Sequence, residues 1–200
     1  MRRIDSIILH CSATREGENI SAAKIDSWHK RRGWKGIGYH YVIALNGSME
    51  YGRNIDEQGA HVKNHNKGSI GICYIGGVEE DGKTPKDTRT KKQKESLLDL
   101  LKTLKRLHPD ATIHGHNEFS AKACPCFDVN KEYCKLNNLD YIYIKNNYNN
   151  YPPYWVKVKI LYDFINNDKY KYYDGFIWLD SDAVFSNKHK NILSLINNNL

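Results

Sequence analysis

Two imidazoles, a thiol and an ammonium stand in a pattern that suits a catalytic metal. His10 closes the apolar run Ile7-Ile8-Leu9-His10, and far downstream come His114-Gly115-His116-Asn117-Glu118 and Lys122-Ala123-Cys124-Pro125. Zinc accepts nitrogen and sulfur donors at about 2.0–2.3 Å, and its catalytic sites use three protein ligands with the fourth position open to water. His10, His116 and Cys124 form such a set, with no obvious fourth protein ligand. Alone, none of them says much: a strand-end histidine is commonly a satisfied core residue, and a buried cysteine behaves as a small hydrophobe. The signal lies in the combination. Lys122, two residues before Cys124, would place a cation beside the metal, where it stabilises a developing oxyanion. Tyr39, in Gly36-Ile37-Gly38-Tyr39-His40-Tyr41, begins a strand after a glycine-rich turn, and its phenol is a candidate hydrogen-bond donor to water or carbonyl. This is the donor set of a zinc hydrolase.

One rival metal pattern is excluded by spacing. Zinc nucleobase deaminases combine H-x-E with P-C-x-x-C. His116-Asn117-Glu118 begins that way, but Cys124-Pro125-Cys126 continues differently, with proline after the first thiol and only one residue between the two.

The elements that must position these groups are legible as patterns. Asp5–Cys11 reads as a buried strand ending at His10 and Cys11. Ser21 is the N-cap of a helix carrying Ile25, Trp28, His29 and Arg32, closed by Gly33. Tyr39–Leu45 and Ser48–Arg53 alternate about Asn46-Gly47, a two-residue hairpin signal. Ser69–Ile75 is a further apolar strand, closed by Gly76-Gly77. Thr90 opens a long helix with Leu97, Leu98, Leu101, Leu104 and Leu107 on one stripe, stopped by Pro109, and Thr112–His116 is a last short strand. Strands interleaved with two helices predict an α/β domain whose mixed central sheet is flanked by helices.

Composition bounds the rest. The chain has 200 residues, 40% hydrophobic and 26% charged, as in a globular protein of one domain or one with a partial second. No run approaches the roughly 18 apolar residues of a membrane span. The start Met1-Arg2-Arg3-Ile4-Asp5 lacks the apolar segment of a secretory signal, so the chain is expected to begin in the cytoplasm. A net charge of +7 suits a solvated surface, or attraction to an anionic polymer such as a bacterial wall. The basic residues lack the aromatic interleaving of a nucleic-acid groove, which disfavours nucleic acid as a partner. Five cysteines without even spacing argue against a disulfide framework and for one metal-bound thiolate among free thiols. All eight arginines precede residue 107, while asparagine rises from six in residues 1–129 to fourteen in 130–200. These shifts place a boundary near Asp128–Lys131, giving candidate domains 1–129 and 130–200.

The motifs Leu9-His10-Cys11-Ser12-Ala13-Thr14, Trp28-His29-Lys30, Gly38-Tyr39-His40-Tyr41, Asn66-Lys67-Gly68-Ser69-Ile70-Gly71-Ile72, Gly76-Gly77 and Lys122-Ala123-Cys124-Pro125 resemble the zinc-dependent N-acetylmuramoyl-L-alanine amidases. The subgroup is the bacteriophage lysozyme type, related to the peptidoglycan recognition proteins. The resemblance covers about residues 1–129. It implies zinc held by His10, His116 and Cys124, with Tyr39 and Lys122 as the catalytic tyrosine and lysine. It further implies that His61 lines the substrate groove, that Glu118 matches an acid of the phage subgroup, and that Cys126 stands where relatives carry serine. His40 and Cys11 are expected to support the site. The implied reaction is hydrolysis of the amide between N-acetylmuramic acid and L-alanine in peptidoglycan, as in an endolysin that lyses the wall after release. Rival readings are a non-catalytic peptidoglycan-binding module and a bifunctional wall or glycan enzyme that uses both halves of the chain.

The second half carries its own resemblance. Pro153-Tyr154-Trp155-Val156-Lys157-Val158-Lys159, followed by Tyr173-Asp174-Gly175-Phe176-Ile177-Trp178-Leu179-Asp180-Ser181-Asp182, is similar to galactosyl and mannosyl glycosyltransferases of nucleotide-sugar fold. The resemblance implies that Asp180 and Asp182, as a D-x-D pair, hold a divalent metal on a nucleotide diphosphate. About 70 residues cannot complete such a fold. The expectation is therefore an incomplete transferase-like segment over 130–200, without transferase activity.

Overall fold

The computed structural model describes residues 2–136, 140, 142 and 153–173. The described residues fall into two compact units, one holding residues 2–136 and the other residues within 140–173.

The first unit is built on a mixed five-stranded sheet. Its strands are β1 (Ser6–Cys11), β3 (Tyr41–Ile43), β4 (Met49–Tyr51), β5 (Ser69–Tyr74) and β7 (Thr112–Gly115), in the order β4-β3-β5-β1-β7. Only the β3–β4 hairpin is antiparallel; β5 pairs in parallel with β3 and β1, and β1 in parallel with β7. A parallel pair of two-residue strands, β2 (Thr14–Arg15) and β6 (Gly77–Val78), follows on from β1 and β5. The sequence pattern shows no sign of this second pair, because two residues are too few to display a period.

Two helices cover opposite faces. Helix α1 (Ala22–Arg31) begins at Ser21, whose hydroxyl accepts the Lys24 N–H, and ends before Gly33 at φ +81°. Helix α2 (Lys91–Leu107) starts with a reciprocal capping box between Thr90 and Gln93. The Gln93 amide goes further and donates to the carbonyls of Ile43 and Ile75, tying the helix start to the sheet.

Strand alternation assigns each side chain to a face. Ile7, Leu9 and Cys11 of β1 join Ile70, Ile72 and Tyr74 of β5 against Leu97, Leu100, Leu101 and Leu104 of α2. The contact stripe thus uses Leu100, while Leu98 is half-buried and Leu107, 67% exposed at the last turn, lies off it. On the other face, Val42 and Ile75 pack with Ile20, Ala22 and Ile25 of the α1 region. His10 falls between Leu9 and Cys11, so it projects away from the α2 core.

Helix α3 (Val129–Leu136) continues the first unit, with Val129 in the α2-side core. Arg89, almost fully buried, pairs with Asp87 at 2.8 Å and with Glu132 at 3.0 Å, and its guanidinium lies over the Phe127 ring. In the second unit, helix α4 (Pro153–Ile165) presents Val158, Tyr162 and Ile165 to solvent and buries Ile160. No described helix is long and apolar enough to cross a membrane. Asp180 and Asp182 lie outside the described residues.

Candidate metal centre

Parallel pairing brings the first two candidate ligands together. Leu9 of β1 faces Gly115 of β7, so both strands release the chain at the same edge. His10 is the next residue on one strand, and His116 opens a 3-10 turn (His116–Glu118) directly after the other. Their ring centroids lie 4.6 Å apart. Cys124 arrives from the following loop, whose Pro125 carbonyl accepts the buried Tyr74 hydroxyl at 2.8 Å. Its Sγ lies 3.8 Å from His10 Nδ1 and accepts the Cys11 backbone N–H at 3.2 Å. The donor atoms of His10, His116 and Cys124 all lie within 4.8 Å of one another, the one such group among the described residues.

This geometry suits a metal ion. Donors bonded at 2.0–2.3 Å around one tetrahedral ion lie roughly 3.3–3.8 Å apart; the His10–Cys124 pair stands at 3.8 Å, and all three donors fall within 4.8 Å of one another. The protonation states fit as well. Burial pushes the His10 pKa well down, helped by the neighbouring His61 and His116 and by the Lys122 ammonium. Burial and Lys122 likewise lower His116. Both rings are therefore neutral near pH 7 with lone pairs to offer, as ligation requires.

The other expected residues separate into those that face the centre and those that brace it. Tyr39 is partly buried, its ring centroid 5.1 Å from that of His10, and its hydroxyl reaches the Cys73 thiol on the β5 residue paired with His10. Burial holds the phenol pKa well above its usual value, so it acts as an un-ionised donor. Lys122 is exposed, close enough to act on both imidazoles. His61 stands against the centre, its Nδ1 3.1 Å from His10 Nε2.

Glu118 is committed elsewhere. One carboxylate oxygen accepts the Gly115 N–H at 2.6 Å and the other meets His114 Nδ1 at 2.8 Å. Both oxygens thus brace the turn that carries His116. Cys126 lies 3.6 Å from Cys11, sulfur to sulfur, and contacts the Gly77 carbonyl, outside the three-donor group.

Sequence patterns did not reveal the role of His29 on α1. Its Nδ1 accepts the Gly38 N–H at 3.0 Å and its ring centroid lies 5.6 Å from that of Tyr39, so it positions the segment carrying the phenol. A Cβ at Gly38 would meet the Ala60 carbonyl oxygen at 2.2 Å, which explains why glycine precedes Tyr39. The available signal was the period of α1, which turns His29 inward with Ile25.

His40 adds a pH dependence to the fold. Its Nδ1 accepts the Gly71 N–H at 2.9 Å, and its Nε2 lies 3.1 Å from the Glu57 carbonyl oxygen and 2.9 Å from the Arg2 guanidinium. Burial first, with the Arg2 and Arg53 guanidinium groups adding to it, lowers its pKa to about 4. A depressed histidine pKa means that the unfolded chain binds the proton first. The stabilisation is therefore complete above about pH 6.5 and is lost as pH falls towards 4. Denaturant unfolding of the metal-free protein should show a loss of roughly 2–3 kcal/mol from this group between pH 7 and 4.5. A His40→Asn variant, which keeps an acceptor but cannot take the proton, should flatten that slope; an unchanged slope would refute the assignment.

Comparison with known proteins agrees with this architecture. The family model described as N-acetylmuramoyl-L-alanine amidase matches residues 1–127. The endolysin of Escherichia phage T7 is 40% identical over 127 residues, covering 64% of this chain and 83% of that protein. A peptidoglycan-recognition protein SC1a of Drosophila melanogaster is 30% identical over 113 residues, covering 56% of this chain and 60% of that protein. Among solved structures, the N-acetylmuramoyl-L-alanine amidase LysC of Clostridium intestinale superposes with a TM-score of 0.57 at 27% identity, over 70% of this chain and 88% of that one. These likenesses lend no support to the transferase-like reading of residues 130–200. The family match over residues 1–127, together with 40% identity to a phage endolysin across 83% of its length, makes the chain a member of the N-acetylmuramoyl-L-alanine amidase family.

Proposed function

We propose that the protein is a zinc-dependent endolysin-type amidase that cleaves the bond between the lactyl group of N-acetylmuramic acid and the L-alanine of the stem peptide. The observation that carries the metal is the convergence of His10, His116 and Cys124 donors within 4.8 Å. Zinc held by these three side chains would supply a Lewis acid that lowers the pKa of a water towards about 7 and polarises the scissile carbonyl.

The chain's own residues supply the rest. The exposed Lys122 ammonium, close enough to act on both imidazoles, would meet the negative charge that builds on the carbonyl oxygen during attack. Tyr39 stays protonated at working pH and donates a hydrogen bond that orients water or carbonyl. His29, through the Gly38 N–H, holds the Tyr39 segment in place. The substrate is peptidoglycan, and the site of action is the bacterial wall.

The decisive experiment pairs elemental analysis with mass spectrometry of muropeptides digested by the purified chain. The expected products are stem peptides with a free L-alanine amine and glycan with an unsubstituted lactyl carboxylate, formed only while stoichiometric zinc is bound. Removing zinc with a chelator should stop product formation, and adding it back should restore it. Cleavage within the glycan or within the stem, binding without cleavage, or full activity in metal-free protein would each defeat this reading.

A further inference from the structure

A histidine ligand has two ring nitrogens, and the one not on the metal decides which tautomer is available. A neutral ring that offers Nδ1 must carry its proton on Nε2, and that proton needs a fixed acceptor. His10 turns Nδ1 towards Cys124 and Nε2 towards His61 Nδ1, at 3.8 and 3.1 Å. His61 Nε2 in turn lies 3.3 Å from the hydroxyl of Ser69, a fully buried residue at the start of β5.

The surroundings are shaped for the His61 ring. A Cβ at Gly71 would stand 2.6 Å from the ring and one at Gly59 2.5 Å, so two glycines leave the space it fills. The Asn66 side-chain oxygen accepts the backbone N–H groups of both His61 and Val62, at 2.8 and 2.9 Å, which sets the chain direction at His61. His61 can accept from His10 at Nδ1 only with its own proton on Nε2, and the Ser69 hydroxyl lies there to receive it.

We propose that His61 and Ser69 are positioning residues for the metal ligand His10: a one-way chain, His10 Nε2–H to His61 Nδ1 and His61 Nε2–H to Ser69 Oγ, that presents the His10 Nδ1 lone pair to the ion. The proposal rests on the metal reading above and gives His61 a role besides the groove-lining one expected from the resemblance. Ser69 lies in the Asn66–Gly71 segment, so the motif that sets the turn also supplies the end of the chain.

Zinc affinity of the whole chain, read by competition with a chelating dye, tests this directly. His61→Phe keeps a ring in the space but removes the acceptor, and should weaken zinc binding about 10–100-fold. His61→Gln offers a carbonyl oxygen to His10 and an amide to Ser69, and should stay close to the wild-type affinity. Ser69→Ala should fall between the two. Melting of the zinc-free proteins separates this from a packing defect, since a purely structural role would lower apo stability without ordering the zinc affinities in this way. Equal zinc affinity in the wild-type and His61→Phe proteins would overturn the proposal while leaving the metal centre standing. Failure of the wild-type chain to bind zinc at all, or binding unchanged by His10→Ala, would instead overturn the metal reading.

Discussion

Cys124→Ala is expected to lose bound zinc and to lower peptidoglycan hydrolysis by about a thousandfold or more, since a metal's transition-state stabilisation is worth several kcal/mol. The cost has a structural origin. Cys124 Sγ is the sole sulfur in the three-donor group, 3.8 Å from His10 Nδ1, and is turned inward by the Cys11 N–H. Alanine leaves two imidazoles, too few to hold the ion in place. Cys126→Ala provides the contrast. Its sulfur faces Cys11 and the Gly77 carbonyl, so that variant should retain zinc and most of the activity. Elemental analysis and a turbidity assay on the two variants decide the matter, and the reverse ranking would mean that the wrong thiol has been assigned.

Lys122→Ala should separate metal from turnover. Zinc content should stay near that of the wild-type chain, because the lysine supplies charge and no ligand atom. kcat should fall about 100- to 1,000-fold, the range seen when one oxyanion-stabilising group is removed, with KM little changed. Lys122→Arg should recover part of the loss, since the charge returns in a different shape. A second readout follows from the electrostatics. Lys122 lowers the pKa of both His10 and His116, so in the metal-free protein each ring should titrate at higher pH once the ammonium is gone. Histidine proton shifts followed by NMR measure that directly. Loss of zinc together with activity would show that Lys122 holds the site together and does not act on the substrate.

Both variants rest on residues that residue type and spacing single out by themselves, and the reason is physical. Ligand chemistry limits the choice to histidine, cysteine and carboxylate, and a strand end followed by polar sequence is where such a side chain can leave the core. The capped starts of α1 and α2 were legible for a similar reason: Ser21 and Thr90 act on backbone groups only three residues away. The hairpin at Asn46-Gly47 belongs to the same class, with Gly47 at φ +85°. Its strands, though, are only Tyr41–Ile43 and Met49–Tyr51, shorter than the alternation suggested, since strand length depends on where partners exist.

What the chain alone determined, then, was its local geometry and its inventory of donors: the caps, the turn, the apolar strands and the three candidate ligands, all set by interactions spanning a few residues or by side-chain chemistry. Tertiary structure decided the rest. The register of β1 between β5 and β7 set His10 beside His116. The closeness of β5 and the Gly59–Asn66 loop made His61 a neighbour of His10. The turn after β7 occupied both oxygens of Glu118. Each of these contacts joins segments distant in sequence or fixes the direction of a single ring or carboxylate. A linear pattern does not encode such contacts, because they come into being only when the sheet closes and burial forces every polar group to find a partner.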